Sequence, residues 1–270
     1  MNLLNSAWHS VRCPVVGMIH LEPLVGSPRY AGDWQFVRQR AIDDATALID
    51  GGVHGLMLEN FGDTPFLRGS VPQATIAQMS IVAYELRQMF PEIPLGINVL
   101  RNDGVGALGI AQAAAAQFIR VNVLCGARLT DQGLIQGIAA EVMRRRQEND
   151  AENIRVFADV DVKHSVPLAP TTLDDEVADI LERGHADAII VSGTATGKPT
   201  PITSIQAAKR AAEGAPVWVG SGVCADSVEA LSLEADGLIV GSSLKIHGIS
   251  SNPVDPERVQ QLMQRMSPKT

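Results

Sequence analysis

The sequence predicts a single (β/α)8 barrel of the TIM type over residues 1–270, with the barrel proper at about residues 15–266. The chain has 270 residues, which suits one eight-fold barrel and is awkward for two ordinary domains. Short apolar runs alternate with helical patterns along it, and these runs lack internal polar alternation. That pattern is typical of a parallel sheet covered on its outer face.

Eight strands can be placed in chain order, with helical patterns between them. The predicted strands are residues 15–20, 54–58, 95–99, 118–123, 155–160, 188–191, 217–219 and 237–240. Helical patterns are assigned to residues 34–50, 75–90, 104–117, 133–149, 172–184, 200–213 and 255–266. The loops after the first two strands are long and are expected to fold over the mouth of the barrel. An open, doubly wound sheet is the rival architecture.

Residues with known capping preferences mark where several helices begin. Asp33 precedes the first helix, where its carboxylate can accept a bond from an unpaired backbone N–H. Thr172 and Asp175 resemble a capping box. Thr200 followed by Pro201 predicts another helix start, because proline suits the first helical position.

The composition is that of an apolar and mildly acidic protein. Hydrophobic residues make up 46% of the chain and charged residues 19%, so a large core can be buried. The net charge of −8 argues against nucleic acid as a partner. The three cysteines form no CxxC pair, and neither a signal peptide nor a run of about 18 apolar residues is visible. We therefore expect a cytoplasmic protein that is not integral to a membrane.

Two loops near the C-terminus consist of small residues. One follows the strand at residues 217–219, and the other follows the strand at residues 237–240. Such loops leave backbone N–H groups uncovered, and together they form a nest of donors suited to a phosphate dianion. In barrels, the loops after strands seven and eight are the usual phosphate site, which favours closure of the sheet. The predicted phosphate-binding residues are Gly220, Ser221, Gly222, Gly241, Ser242 and Ser243.

Polar side chains concentrate at the carboxyl ends of the predicted strands, where barrels carry their chemistry. A small phosphorylated metabolite is therefore the expected partner. The residues predicted to bind the rest of this substrate are Glu22, Glu59, Asn60, Asn98, Arg101, Asn122, His164, Ser192 and Thr194.

The fifth strand gives the densest group of chemically useful residues. With a period of two, Asp159, Asp161 and Lys163 are expected to project to one side, into the barrel and its mouth. A lysine there could act as a general acid, as an electrophile towards a carbonyl, or as a Schiff-base amine. The alternative is an Asp161–Lys163 ion pair that braces the rim. His20 on the first strand is the fourth predicted catalytic residue, because imidazole titrates near neutrality.

No cofactor and no metal ion is predicted, although two alternatives can be drawn. A divalent metal could be held by His20, Glu59, Asp159 and His164, but no ligand spacing demands it. Flavin mononucleotide (FMN) could place its phosphate on the same two loops, but no platform for the isoalloxazine ring is evident. A homo-oligomer is possible, but no outer helix carries an apolar stripe distinctive enough to identify its interface.

Several motifs, in order along nearly the whole chain, resemble the BtpA family, which is also known through its SgcQ-like members. The most specific is the segment at residues 16–28, VGMIHLEPLVGSP. The other matching segments are residues 59–63, 96–103, 159–164, 192–199 and 241–245. The resemblance implies a phosphate-binding barrel. It also implies a link to photosystem I biogenesis, which is known for cyanobacterial members. A link to sugar-phosphate metabolism is implied as well, because SgcQ resembles a component of a carbohydrate-uptake and sugar-phosphate gene group.

Three classes of function follow from these observations. The first is an enzyme acting on a phosphorylated sugar or nucleotide-like metabolite, by lyase or aldolase, isomerase or glycosidic-bond chemistry. The second is a non-catalytic biogenesis factor for a membrane complex, which would allow peripheral membrane association. The third is an FMN enzyme. The dense polar mouth favours an enzyme over a scaffold, because a scaffold has no need for charges there.

Overall fold

Eight parallel strands close into a barrel in the computed structural model, which describes residues 8, 11–193 and 200–266. The predicted (β/α)8 architecture is thus confirmed, and the open sheet is wrong. The barrel strands, in spatial order around the barrel, are β1 (Val15–His20), β2 (Gly55–Glu59), β3 (Leu95–Asn98), β4 (Phe118–Val121), β7 (Arg155–Val160), β9 (Ala188–Val191), β10 (Val217–Val219) and β11 (Gly237–Val240).

Helices cover the outside of the barrel strands. In the described part of the chain they are α1 (Trp34–Asp50), α2 (Gln73–Met89), α3 (Gly104–Ala113), α4 (Ala139–Glu148), α5 (Leu173–Ala178), α6 (Ile202–Ala211), α7 (Val228–Glu234) and α8 (Pro256–Met266). A large apolar cluster fills the space between the strands and this outer layer. The burial of both faces explains why the strands read as continuous apolar runs.

Aromatic side chains fill the amino-terminal half of the barrel interior. Phe118 packs on Phe157 with ring centroids 4.9 Å apart, and Phe157 packs on Trp218 at 5.1 Å. Trp8 closes this cluster from the chain's N-terminal side, 5.3 Å from Trp218. A Cβ atom at position 96 would lie 2.2 Å from the Phe118 ring, so the glycine at this position makes room for the aromatic cluster. With this end filled, a ligand can enter only from the carboxyl ends of the strands.

A small antiparallel sheet extends the barrel wall and was not predicted. Its strands are β6 (Gly133–Gln136), β5 (Ala127–Thr130) and β8 (Ser165–Pro167), in that order. The helix predicted at residues 133–149 is therefore wrong at its start, because α4 begins only at Ala139. Gly133 has a φ of 92°, a left-handed conformation that suits a hairpin and not a helix.

Two of the three predicted helix caps are confirmed. Asp33 accepts a bond from the Phe36 N–H, and Thr172 accepts one from the Asp175 N–H. The prediction for Thr200 is wrong: its buried hydroxyl instead donates to the Ser221 carbonyl at 3.0 Å. This bond ties the start of α6 to the small-residue loop after β10.

Candidate active site at the barrel mouth

The carboxyl ends of the barrel strands surround a cavity of about 540 Å³. Larger hollows of about 610 and 1120 Å³ lie elsewhere on the described surface, and neither contains a predicted site residue. Twelve of the predicted residues line the mouth cavity: His20, Glu59, Arg101, Asn122, Lys163, His164, Gly220, Ser221, Gly222, Gly241, Ser242 and Ser243. The loops after β10 and β11 therefore share one compartment with the polar residues at the ends of the barrel strands β1, β2, β3, β4 and β7.

The loop after β10 and the turn after β11 together present unpaired backbone donors. Gly222 has a φ of 72°, and a short 3₁₀ turn begins at Ser242. Within the described residues, the N–H groups of Gly222, Val223, Ser242 and Ser243 have no protein acceptor. All four residues line the cavity. The Ser243 hydroxyl donates to the Val223 carbonyl at 2.6 Å, which joins the two loops.

The floor of the cavity is a buried network centred on Asp159. Arg120 donates to both carboxylate oxygens of Asp159, the shortest N–O distance being 2.9 Å. The Asn122 amide donates to the same carboxylate. Asp159 does not line the cavity, so its predicted place at the reacting centre is corrected. It acts on the site by orienting Arg120 and Asn122.

Arg120 is a site residue that the sequence reasoning missed. It lies on β4 two positions before Asn122 and lines the cavity. The parity of Asn122 was a usable signal, since alternate residues of a strand face the same side. A charged residue in an otherwise apolar buried strand, FIRV, was the second signal.

Lys163 lines the same cavity and lies near the charges of Arg120 and Asp159. Its Nζ is 3.5 Å from the Gly220 carbonyl oxygen, next to the first small-residue loop. Burial lowers the pKa of Lys163 to about 8, and the charge of Arg120 adds to this effect. Arg101 donates to the Lys163 carbonyl at 2.6 Å and so holds its backbone in place.

His20 is a neutral imidazole at neutral pH. Burial, aided by the positive charge of Lys245, lowers its pKa to about 3. Nδ1 lies 2.9 Å from the Ser250 carbonyl oxygen, so Nδ1 carries the proton and donates. The ring stacks on Phe61 with centroids 4.4 Å apart. Nε2 is then an acceptor, and the expectation of a titration near neutrality is corrected.

Glu59 lies beside the His20 ring. Its Oε2 is 3.8 Å from Nε2 of His20, but a neutral imidazole makes this a polar contact and not an ion pair. Burial raises the pKa of Glu59 above its usual value. Glu59 is therefore suited to hold a transferable proton, which a carboxylate in water at neutral pH does not.

Asp161 does not share the side of Lys163, contrary to the prediction. β7 ends at Val160, and Asp161 has a φ of 48°, so the two-residue alternation stops before it. Its side chain is 77% exposed and pairs with Arg128 at 3.0 Å. The alternative of an Asp161–Lys163 ion pair is also wrong.

Glu22 and Asn60 also lie outside the mouth cavity. Glu22 pairs with Arg40 of α1 at 3.4 Å and lines a smaller hollow beside the mouth. The Asn60 side chain accepts a bond from the Leu100 N–H at 2.7 Å. Its amide is buried and used to hold the loop after β3, which leaves it unavailable to a substrate.

The side-chain amide of Asn98 and the hydroxyl oxygen of Ser192 are buried and lack hydrogen-bond partners among the described residues. In the register of the sheet, Asn98 lies between Glu59 and Arg120. Neither Asn98 nor Ser192 lines the cavity. Thr194, the remaining predicted substrate residue, lies outside the described residues.

No group of three or more metal-binding side chains occurs among the residues that the structure describes. In particular, Asp159 is engaged by Arg120 and Asn122, and the Nδ1 of His20 is engaged by Ser250. The residues drawn together as an alternative metal site therefore do not fit one.

The fold is that of a TIM barrel, and several solved structures are similar to it. N-(5'-phosphoribosyl)anthranilate isomerase from Pyrococcus furiosus matches with a TM-score of 0.55 and 13% identity, over 94% of this chain and 98% of that chain. A structure described as native KDPGal matches with a TM-score of 0.57 and 12% identity, over 95% of each chain.

The chain belongs to the BtpA family, whose model matches residues 11–268. It is 45% identical over 254 residues to the photosystem I biogenesis protein BtpA of Synechocystis sp., covering 94% of this chain and 88% of that protein. It is also 45% identical over 253 residues to an uncharacterized protein of Thermococcus kodakarensis, covering 94% and 95% of the two chains. The family resemblance seen in the sequence is thereby confirmed.

No helix in the described part of the chain combines the length and the apolar character needed to cross a membrane.

Proposed function

We propose that the protein is an enzyme that acts on a phosphorylated small metabolite, with proton-transfer chemistry of the lyase, aldolase or isomerase kind. One observation carries the proposal. A single cavity of about 540 Å³ joins N–H donors of two loops, which have no acceptor among the described residues, to a half-buried lysine and a buried carboxyl group. Such a compartment holds an anion at one side and reacting groups at the other.

The phosphate is bound by the loops after β10 and β11. Gly222, Val223, Ser242 and Ser243 line the same cavity, and their N–H groups have no competing acceptor among the described residues. Arg258 of α8 lines the same side and donates to the Ser243 carbonyl at 3.4 Å. Backbone donors together with one guanidinium suit a dianion on an otherwise acidic protein.

The reacting end of the substrate lies against Lys163, Glu59 and His20. Lys163 with a pKa of about 8 is charged at pH 7 and polarises a carbonyl oxygen. Glu59 donates or accepts the proton, because its raised pKa brings it nearer to neutrality. His20 presents Nε2 as a fixed acceptor that orients a substrate hydroxyl. Asp159 keeps the floor in place.

The first test is turnover of a panel of phosphorylated sugars and ketoses by wild type and by Lys163→Met. The variant keeps the bulk of the lysine stem but removes the charge, and we expect turnover to fall about 100-fold or more. Lys209→Met on the outer helix α6 is the matched control, since Lys209 pairs only with Asp236. Equal turnover by wild type and Lys163→Met would contradict the proposal.

The relative from Synechocystis supports a second function. It is named a photosystem I biogenesis protein, and a biogenesis factor could retain this barrel without its activity. A cytoplasmic location stays a prediction for either function, and peripheral membrane association belongs to this alternative. Absence of binding to every phosphorylated ligand, with sedimentation on thylakoid-like vesicles, would favour it.

The cofactor and assembly predictions stay predictions. We propose that no FMN is needed, because the cavity presents Lys163, Arg101 and Arg120 where a flavin ring would need a largely apolar platform. Visible absorbance near 450 nm in the purified protein would contradict this. A homo-oligomer would be detected by light scattering.

A further inference from the structure

Two cations in the mouth cavity, the buried Arg101 and the half-buried Lys163, lack a carboxylate partner among the described residues. Arg101 is only 9% exposed, and its guanidinium donates to a backbone carbonyl, that of Lys163. The nearest recorded acceptor of the Lys163 Nζ is another carbonyl, that of Gly220. Among the described residues, neither cation has a carboxylate oxygen within 4.0 Å. The undescribed positions contain no aspartate or glutamate that could supply one.

The charge count of this region leaves an excess of positive charge. Arg101, Arg120 and Lys163 contribute three cations to the cavity, against the two carboxyl groups of Asp159 and Glu59. Asp159 is taken up by Arg120. The excess is one charge if Glu59 is ionised and two if Glu59 holds a proton, and it is positive in both cases. Buried charge is costly without a counter-ion, so the region is built to receive an anion.

Arg101 lies across the barrel from the phosphate loops, whereas Lys163 follows β7, which lies midway between β3 and β10. Arg101 follows β3, and in the closed ring of eight strands β3 is diametrically opposite β10. The loop donors at Gly222 and Val223 follow β10, and those at Ser242 and Ser243 follow β11. A phosphate on the loops therefore leaves Arg101 free to bind a second group at the other side of the cavity.

We propose that the substrate carries a carboxylate in addition to its phosphate, and that Arg101 together with Lys163 binds this carboxylate. The inference rests on the proposed function, because it takes the loops after β10 and β11 as the phosphate site. It narrows the substrate class to phosphorylated sugar acids and related phosphorylated carboxylic acids. Arg101 supplies a planar fork of donors that matches a carboxylate, and Lys163 supplies a point charge.

The test compares two ligands that differ only at one end. 6-Phosphogluconate has a carboxylate where glucitol 6-phosphate has a hydroxymethyl group. By isothermal titration at pH 7, we expect wild type to bind 6-phosphogluconate about tenfold or more tightly than glucitol 6-phosphate. In Arg101→Met the ratio of the two affinities should fall towards one. The ratio is the informative quantity, because general loss of positive charge or of stability weakens both ligands alike.

Lys163→Met is the second variant, and it should reduce the same ratio even if Arg101→Met fails to fold. Arg144→Met on the exposed face of α4 is the matched control and should keep the wild-type ratio, since the Arg144 guanidinium donates to the carbonyl of its own helix. The contrary result would be an equal affinity of wild type for both ligands, together with loss of binding of both ligands in Arg101→Met. It would show that the cations face the phosphate, and it would overturn this inference but not the proposed function.

Single-anion ligands separate this failure from failure of the proposed function. Inorganic phosphate should bind wild type and Arg101→Met but not Gly222→Val, whereas glycolate should bind wild type and Gly222→Val but not Arg101→Met. Binding of phosphate without any binding of glycolate contradicts the carboxylate subsite. Absence of phosphate binding to wild type contradicts the phosphate loops, and with them the proposed function.

Discussion

Lys245 Nζ lies 2.8 Å from the Asp44 carboxylate, and both side chains are almost completely buried. The pair joins the turn after β11 to the middle of α1. Asp44 also accepts a bond from the Val254 N–H at 2.7 Å, which fixes the segment that follows the turn. The Ser242–Ser243 turn of the proposed phosphate site is thus held from behind by an ion pair that does not line the mouth cavity.

The two members of this pair should differ in their effect on stability. Asp44→Ala leaves Lys245 charged and buried without a partner, and we expect the free energy of unfolding to fall by about 3–5 kcal/mol. Lys245→Met should cost less, because Arg40 at 3.3 Å and the Val254 N–H still satisfy Asp44. Urea unfolding measures both.

The half-exposed pair Lys209–Asp236 provides the control, since Lys209→Met should change the free energy of unfolding by less than about 1 kcal/mol. Equal losses for Asp44→Ala and Lys209→Met would show that the Lys245 pair does not brace the turn.

Anion binding should weaken as pH rises through about 8. Lys163 has its pKa lowered from 10.5 to about 8, so it loses its proton in this range, whereas a phosphate monoester with a second pKa of about 6 keeps its charge. Titration of 6-phosphogluconate between pH 7 and 9.5 should show the decline in wild type. Lys163→Met should bind weakly and without this decline; a pH-independent affinity in wild type would contradict the role of Lys163.

The same shift has a consequence for stability. An unfolded lysine titrates near 10.4, so between about pH 8 and 10 the unfolded state binds more protons than the folded state. Stability should therefore rise with pH across this window as far as Lys163 is concerned. The difference between wild type and Lys163→Met in the pH dependence of the free energy of unfolding isolates the contribution of Lys163.

His20 should remain neutral throughout the physiological range. Its pKa of about 3 predicts that long-range ¹H–¹⁵N NMR spectra show a proton on Nδ1 and none on Nε2, unchanged from pH 8 to pH 5. Because the charge of Lys245 contributes to this shift, Lys245→Met should raise the pKa of His20. A midpoint between pH 5 and 7 in wild type would disprove the assignment of His20 as a fixed acceptor.

Stability should respond to His20 in the opposite direction from a salt-bridged histidine. Between about pH 3 and 6.5 the unfolded imidazole binds a proton that the folded one does not, so this residue lowers stability as pH falls. His20→Gln should reduce that loss of stability. The measurement is the change in the urea concentration at the unfolding midpoint between pH 7 and pH 5, which should be smaller in His20→Gln than in wild type.

The barrel and its two loops were predictable because they depend on local pattern. Apolar runs such as residues 237–240, ended by small residues, carry their own signal for a buried strand and an open loop. The hairpin at β5 and β6 was missed, because the apolar residues around Gly133 fit a helical period as well as a strand period.

The rest of the site depended on contacts that no local pattern encodes. Asp161 was misplaced because the end of β7 at Val160 and the positive φ that follows are set by tertiary packing around Arg128. Asp44 and Lys245 are separated by 201 positions. Nothing in either neighbourhood indicates the other, whereas Arg120 could have been found from the parity of Asn122.

A crystal structure of the protein soaked with inorganic phosphate would show whether the loops after β10 and β11 bind a phosphate. We expect a phosphorus position inside the mouth cavity, with oxygens accepting bonds from the Gly222 N–H and from the N–H of Ser242 or Ser243. The same soak of Gly222→Val should leave that position empty. A phosphate bound elsewhere in wild type, with these N–H groups bonded to water or protein instead, would contradict the account.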